Sequence, residues 1–194
     1  MIKILTSISY KIWGKKIYQY LLFSIASFIT ILFMGYYFGT FDQSSHIPYL
    51  KKFAYPSLFP NDKFFDIRFF HYSFFWFIFI PFYRMGILEI SMFITHFLAT
   101  FLTFWAIWNL AKTLFKNPVA SFLAIIVFIF PHIGFAEAPI FEFSLLNRTF
   151  VLPFLLIAIN LYLNKKYTYA FFDFRLNVQS ARCFRKFFNS NVSV

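Results

Sequence analysis

Four apolar runs, roughly Ile17 to Phe38, Ile90 to Leu110, Val119 to Phe135 and Thr149 to Leu163, constrain this chain more than any motif does. Crossing hydrocarbon takes about 20 mostly apolar residues in a helix, because only helices or closed barrels pair every backbone group there. Ile17 to Phe38 meets that requirement without a charged residue. With 60% of 194 residues hydrophobic and 13% charged, a water-soluble domain of this length has too little interior for its apolar side chains. The expected fold class is all-α: a polytopic membrane protein with about four transmembrane helices.

Orientation follows from the short connecting segments, since Lys and Arg are retained on the cytoplasmic side. Four spans place Lys3, Lys11, Lys15, Lys16, Lys112, Lys116, Lys165, Lys166, Arg175, Arg182, Arg185 and Lys186 inside, with Asp173 as their one acidic companion. The outer side receives Lys51, Lys52, Lys63, Arg68, Arg84 and Arg148 against Asp42, Asp62, Asp66, Glu89, Glu137 and Glu142, which cancel. The net charge of +11 is therefore read as a membrane-facing asymmetry, with the lipid bilayer as partner and no nucleic acid. A cleaved signal peptide is the rival reading of the basic N-terminus. Its apolar stretch of about 7–15 residues is shorter than the one here, and no A-x-A-like site follows Tyr36, Tyr37, Phe38 and Gly39. An uncleaved anchor in the cell membrane, N-terminus cytoplasmic, fits better.

Phe69 to Tyr83 is the ambiguous segment. It is apolar and aromatic, carries His71 and Pro81, and reaches only about 22 Å as a helix. A fifth span would strand the N-terminal lysines outside, so an interfacial or re-entrant helix is expected. The organisation expected is a cytosolic N-terminus over 1–16, a membrane domain over 17–170 with outer loops 39–89 and 131–148, and a basic cytosolic tail over 171–194. Pro48, Pro56 and Pro60 are expected to break the first outer loop into short turns and helical pieces. The tail loses apolar periodicity and holds the lone Cys183, so a reading-frame shift fits it as well as a lipid-facing tail does.

No Walker loop, G-x-G-x-x-G, H-E-x-x-H, C-x-x-C or G-x-S-x-G occurs, and the five glycines are scattered singly, which argues against a nucleotide-dependent mechanism. Gly35 and Gly39 form a G-x-x-x-G at the outer end of the first run, read as close helix contact within the chain. What remains is a set of carboxylates and cations on the outer face.

Their order carries a resemblance. Asp42-Gln43-x-x-x-Ile47-Pro48-x-Leu50, then Pro56-Ser57-Leu58-x-Pro60-x-Asp62, then Asn147-Arg148-Thr149-Phe150-x-Leu152-Pro153 resemble the N-terminal part of the multi-pass GT-C-type glycosyltransferases and related bacterial membrane proteins. The resemblance covers about residues 15 to 170. It implies transfer of a sugar from a polyprenyl-phosphate donor, with Asp42 as general base or metal holder; Glu137 and Glu142 are further catalytic candidates on a separate ground, an apolar outer loop from Phe135 to Phe143 that holds them near the interface. Lys51, Lys52, His132 and Arg148 would then offset charge on the departing lipid phosphate. A divalent metal is one option for the cofactor, with Asp42 and His46 supplying two ligands. Family members generally carry eight or more spans, so this four-span chain is expected to be truncated and inactive alone. The alternative is a small non-enzymatic membrane scaffold or transporter accessory subunit.

Each residue also has a plain reading. Asp42 ends a helix or opens a turn, Asp62 sits in a turn or caps a helix, and Asp66 and Arg68 belong to a solvated rim. Arg148 anchors at the interface, His96 is a hydrogen-bonded core histidine, and the Asn147-Arg148-Thr149 sequon is too close to the membrane for use.

Overall fold

The computed structural model describes residues 15–40, 42–63, 65, 74–133 and 139–169. The expectations for residues 1–14 and for Glu137, Asp66, Arg68, His71 and the tail over 171–194 lie outside the described residues.

Among the described residues six α-helices form: α1 Lys16–Met34, α2 Asp42–Ala54, α3 Ile80–Arg84, α4 Leu88–Phe115, α5 Pro118–Ile129 and α6 Asn147–Leu163, with a 3-10 segment Phe74–Phe79 before α3. Among the described residues there is no strand, only an isolated bridge between Ile133 and Pro139. α1 and α4 are long and apolar enough to cross a bilayer, whereas α5 and α6 are shorter apolar helices.

α4 is the central post, in contact with α6 most extensively and with α5 and α1. Its buried face alternates bulk with small residues: Ala99, Thr100, Thr103, Ala106 and Ala111 let neighbours approach, and Phe104, Ile107 and Trp108 fill the gaps. Phe23, Ala26 and Met34 of α1 meet that face, with the ring of Phe23 5.9 Å from that of Trp108. Ser27 donates to the Phe23 carbonyl and Thr103 to that of Ala99 within their own helices, while Thr30 of α1 reaches the Ile129 carbonyl of α5 at 3.5 Å. The pairing of Phe23 with Trp108 and of Tyr36 with Phe93 makes α1 and α4 antiparallel. Phe33 against Phe130 makes α1 and α5 parallel, and Thr113 against Asn160, near the C-terminal ends of both helices, makes α4 and α6 parallel.

This up-and-down arrangement sorts charge. Lys15, Lys16, Lys112, Lys116, Lys165 and Lys166 share one end, and α2, α3, Glu89, Glu142 and Arg148 share the other.

Three segments depart from expectation. α2 runs through Pro48, although a helix-interior proline forfeits a backbone bond and costs about 3 kcal/mol in isolation. Ile47 and Leu50 either side of it bury against Phe75, Trp76, Phe79 and Leu145, and that burial outweighs the lost bond. Arg84 donates to the Ala54 carbonyl at 3.0 Å and closes the helix. The third apolar run stays helical only to Ile129, because Pro131 follows and the chain turns extended at Phe130. Further along the chain Phe141, 4 % exposed, lies against Phe104, their rings stacked 5.3 Å apart. Within Phe69 to Tyr83, the described part is the 3-10 segment and α3, packed beneath α2 through Phe75, Trp76 and Phe79.

α1 stops at Gly35, whose φ of 79° and ψ of 162° suit glycine alone. A Cβ there would lie 2.9 Å from the Tyr37 ring.

Candidate functional site

Two sequence stretches about a hundred positions apart are bonded together at the acidic end. Gln43, fully buried, accepts from the Gly39 amide at 2.8 Å and donates to the Leu145 carbonyl at 2.9 Å. The Tyr37 amide donates to the Phe143 carbonyl at 2.8 Å. These bonds satisfy an irregular, buried backbone and fix the start of α2 against the start of α6.

Asp42 and Arg148 open those two helices and face each other, with Arg148 Nη2 3.6 Å from Asp42 Oδ2. Arg148 Nε also donates to Glu142 Oε1. The two pairings differ in kind. Asp42 and Arg148 are each more than half exposed, whereas the Glu142 side chain is only 7% exposed. Solvent screens the first pair to about 0–1 kcal/mol, while a carboxylate removed from water depends on its partner. Glu142 thus holds Arg148 in place, and Asp42 keeps an accessible carboxylate.

Beside them lies a cavity of about 190 Å³ walled by Asp42, His46, Trp76, Leu146, Asn147 and Arg148. His46 is one helical turn after Asp42 and stacks on Trp76 with ring centroids 4.9 Å apart. Trp76 Nε1 and Thr149 Oγ1 are buried without a hydrogen-bond partner among the described residues. The cavity receives the N-terminal ends of α2 and α6, each worth about +0.5 charge, with the Arg148 guanidinium. These offset Asp42 and Glu142, leaving the mouth near neutral and able to exchange the exposed Asp42 contact for a phosphate oxygen on Arg148.

The other expected site residues sit elsewhere. The Lys52 ammonium donates to the carbonyls of Pro56, Leu58 and Phe59, stapling the turn after α2. Lys51 does not line the cavity, and His132 stacks on Phe128 and pairs with the Phe130 carbonyl at 2.6 Å. His96 is buried in α4 with its ring 5.5 Å from that of Tyr36. No group of three His, Cys, Asp or Glu among the described residues is arranged to hold a metal. The carboxyl and imidazole of Asp42 and His46 supply two ligands at most, with Arg148 competing for the same carboxylate.

Trp76 and Gln43 were not singled out by sequence reasoning. The signal for Gln43 was its place in the Asp42-Gln43 pair; Trp76 was hidden in an aromatic-rich run.

Fold and site together define an all-α protein with two helices of bilayer-crossing length and a charged cavity at one end. No protein-family model, curated protein or solved structure matches the chain.

Proposed function

We propose that this chain is a multi-pass membrane protein in which α1, α4, α5 and α6 all cross the bilayer and the Asp42 cavity opens on the outer face. The support is an inside-out distribution. Leu21, Ile25, Phe28 and Leu32 on α1 and Ile90, Ile94 and Leu98 on α4 point outward, while Ser27, Thr30, Thr100 and Thr103 point in. Water would penalise that outer surface and lipid does not. α5, about 18 Å long, crosses only with flanking backbone completing its depth inside protein, as Ile140 and Phe141 do where they pack in the cluster shared by α1, α4 and α5.

At the cavity we propose chemistry of the GT-C kind: transfer of a sugar from a polyprenyl phosphate to an acceptor hydroxyl. The carrying observation is the meeting of Asp42 with Arg148 at the mouth of a cavity lined by residues from the first and third of the resemblance motifs. Asp42 takes the acceptor proton as the acceptor oxygen bonds to the anomeric carbon. The bond from that carbon to the phosphate oxygen breaks, and the lipid phosphate leaves onto Arg148 and the N-terminal end of α6. Glu142 positions Arg148.

Because the chain is expected to be inactive alone, the test is transfer of radiolabelled hexose from a polyprenyl-phosphate hexose in membranes of cells that express the chain from its own locus, with whatever further spans or partners complete the enzyme. Asp42→Asn abolishes transfer while membrane insertion is retained, and Arg148→Gln weakens donor use. Unchanged transfer in Asp42→Asn removes Asp42 from the mechanism. A non-enzymatic scaffold is the second reading, favoured by the fact that Arg148 is engaged by both carboxylates. It predicts no transfer in any variant and a shared loss of stability instead.

A further inference from the structure

The opposite end of the molecule holds a second, larger cavity of about 480 Å³ between the C-terminal turns of α4 and α6, walled chiefly by Asn109, Lys112, Thr113, Lys116, Asn160 and Lys166. Its floor is a preformed polar network. Thr113 Oγ1 donates to Asn160 Oδ1 at 2.7 Å, and Asn164 Nδ2 donates to the Asn160 carbonyl at 2.7 Å and to Asn160 Oδ1 at 3.1 Å. This network joins the two helices and belongs to neither carboxylate cluster.

Among the described residues the rim is uncompensated. Both ion pairs found among the described residues involve Arg148, and the described carboxylates Asp42, Asp62, Glu89 and Glu142 all belong to the other end. Lysines at helix ends also answer the helix dipole, and α4 and α6 both end here. Two C-terminal ends contribute about −1 charge together, so three ammonium groups leave about +2. Three like charges around one polar cavity repel each other until an anion enters.

We infer that this cavity binds a phosphate group, held by Lys112, Lys116 and Lys166 over the Thr113–Asn160–Asn164 floor. Two sources share that chemistry: the headgroup of an anionic phospholipid, and free phosphate. The lipid source rests on the proposal that α4 and α6 span the bilayer, and alkaline extraction of membranes tests that proposal by itself.

The experiment uses the full chain in neutral detergent, with native mass spectrometry and thermal unfolding as readouts. The probes are phosphatidylglycerol, phosphatidylcholine and inorganic phosphate. Phosphatidylglycerol is expected to be retained and to raise Tm, with phosphatidylcholine much weaker. Each lysine near an anionic headgroup is worth about 1 kcal/mol, or about fivefold, so Lys112→Gln/Lys116→Gln/Lys166→Gln weakens retention about a hundredfold. The single variants Lys112→Gln and Lys166→Gln give intermediate losses should the triple variant fold poorly. Lys15→Gln/Lys16→Gln, at the same end but outside the cavity, leaves retention unchanged. If inorganic phosphate raises Tm with the same dependence on the three lysines and phosphatidylglycerol does not, free phosphate is the source. Equal loss in Lys15→Gln/Lys16→Gln, or no loss in the triple variant, overturns the inference and leaves a diffuse surface charge.

Discussion

Removing Arg148 and removing Glu142 should not cost the same, although the two share one ion pair. Arg148→Gln leaves the Glu142 carboxylate, 7% exposed, without its counter-charge, while Glu142→Gln leaves a half-exposed guanidinium that water and Asp42 still serve. Stranding a fully buried charge costs about 3–5 kcal/mol, and a surface pair is worth about 0–1 kcal/mol. With one partner buried and one exposed, Arg148→Gln should cost about 2–3 kcal/mol and Glu142→Gln about 1 kcal/mol. The double variant should resemble Glu142→Gln alone, giving a coupling of about 2–3 kcal/mol in the cycle. Asp42→Asn, which removes only the screened 3.6 Å contact, should cost under about 0.5 kcal/mol. Unfolding in mixed micelles with increasing sodium dodecyl sulfate, followed by far-ultraviolet circular dichroism, measures all four. A coupling near zero, or Glu142→Gln costing more than Arg148→Gln, refutes the assignment of Glu142 as the group that depends on Arg148.

Gln43→Leu keeps the side-chain volume but orphans the Gly39 amide and the Leu145 carbonyl; the same titration should show a loss of about 2–4 kcal/mol. Gly35→Ala forces a β-carbon into a glycine-only conformation and against Tyr37, so a loss of about 1–3 kcal/mol is expected in thermal unfolding. Pro48→Ala should raise stability by about 1 kcal/mol or more, because α2 already continues through that position and regains a backbone donor. Lys52→Met should loosen the turn over 56–59, read as faster proteolysis there, while leaving donor binding at the Asp42 cavity unchanged.

What the sequence disclosed follows from which forces are local. α1 and α4 were legible because hydropathy and length are properties of one run: Ile17 to Phe38 became Lys16–Met34 and Ile90 to Leu110 became Leu88–Phe115. The convergence of Asp42 on Arg148 was legible only as an order of motifs, since no local rule links residues so far apart. The course of α2 was not legible. Pro48 is a strong local breaker, and the burial that overrides it depends on Trp76, Phe79 and Leu145, which sequence spacing does not bring near. The end of α5 was available in principle, because Pro131 lies just past Ile129, yet the apolar run continues to Phe135 and hides the stop. The different roles of Asp42 and Glu142 rest on exposure, and two carboxylates near an arginine look alike until their burial is known.

The central claim is that the helices alternate across a bilayer, with the Asp42 cavity on the outer face and the lysine-rimmed cavity on the inner. Impermeant maleimide labelling of intact cells tests it most directly, using Cys183→Ser as background and single cysteines from Asn61→Cys, next to α2, and Lys165→Cys, after α6. Labelling of Asn61→Cys in intact cells and of Lys165→Cys only after permeabilisation is the predicted result. Labelling of both positions from the same side would contradict it.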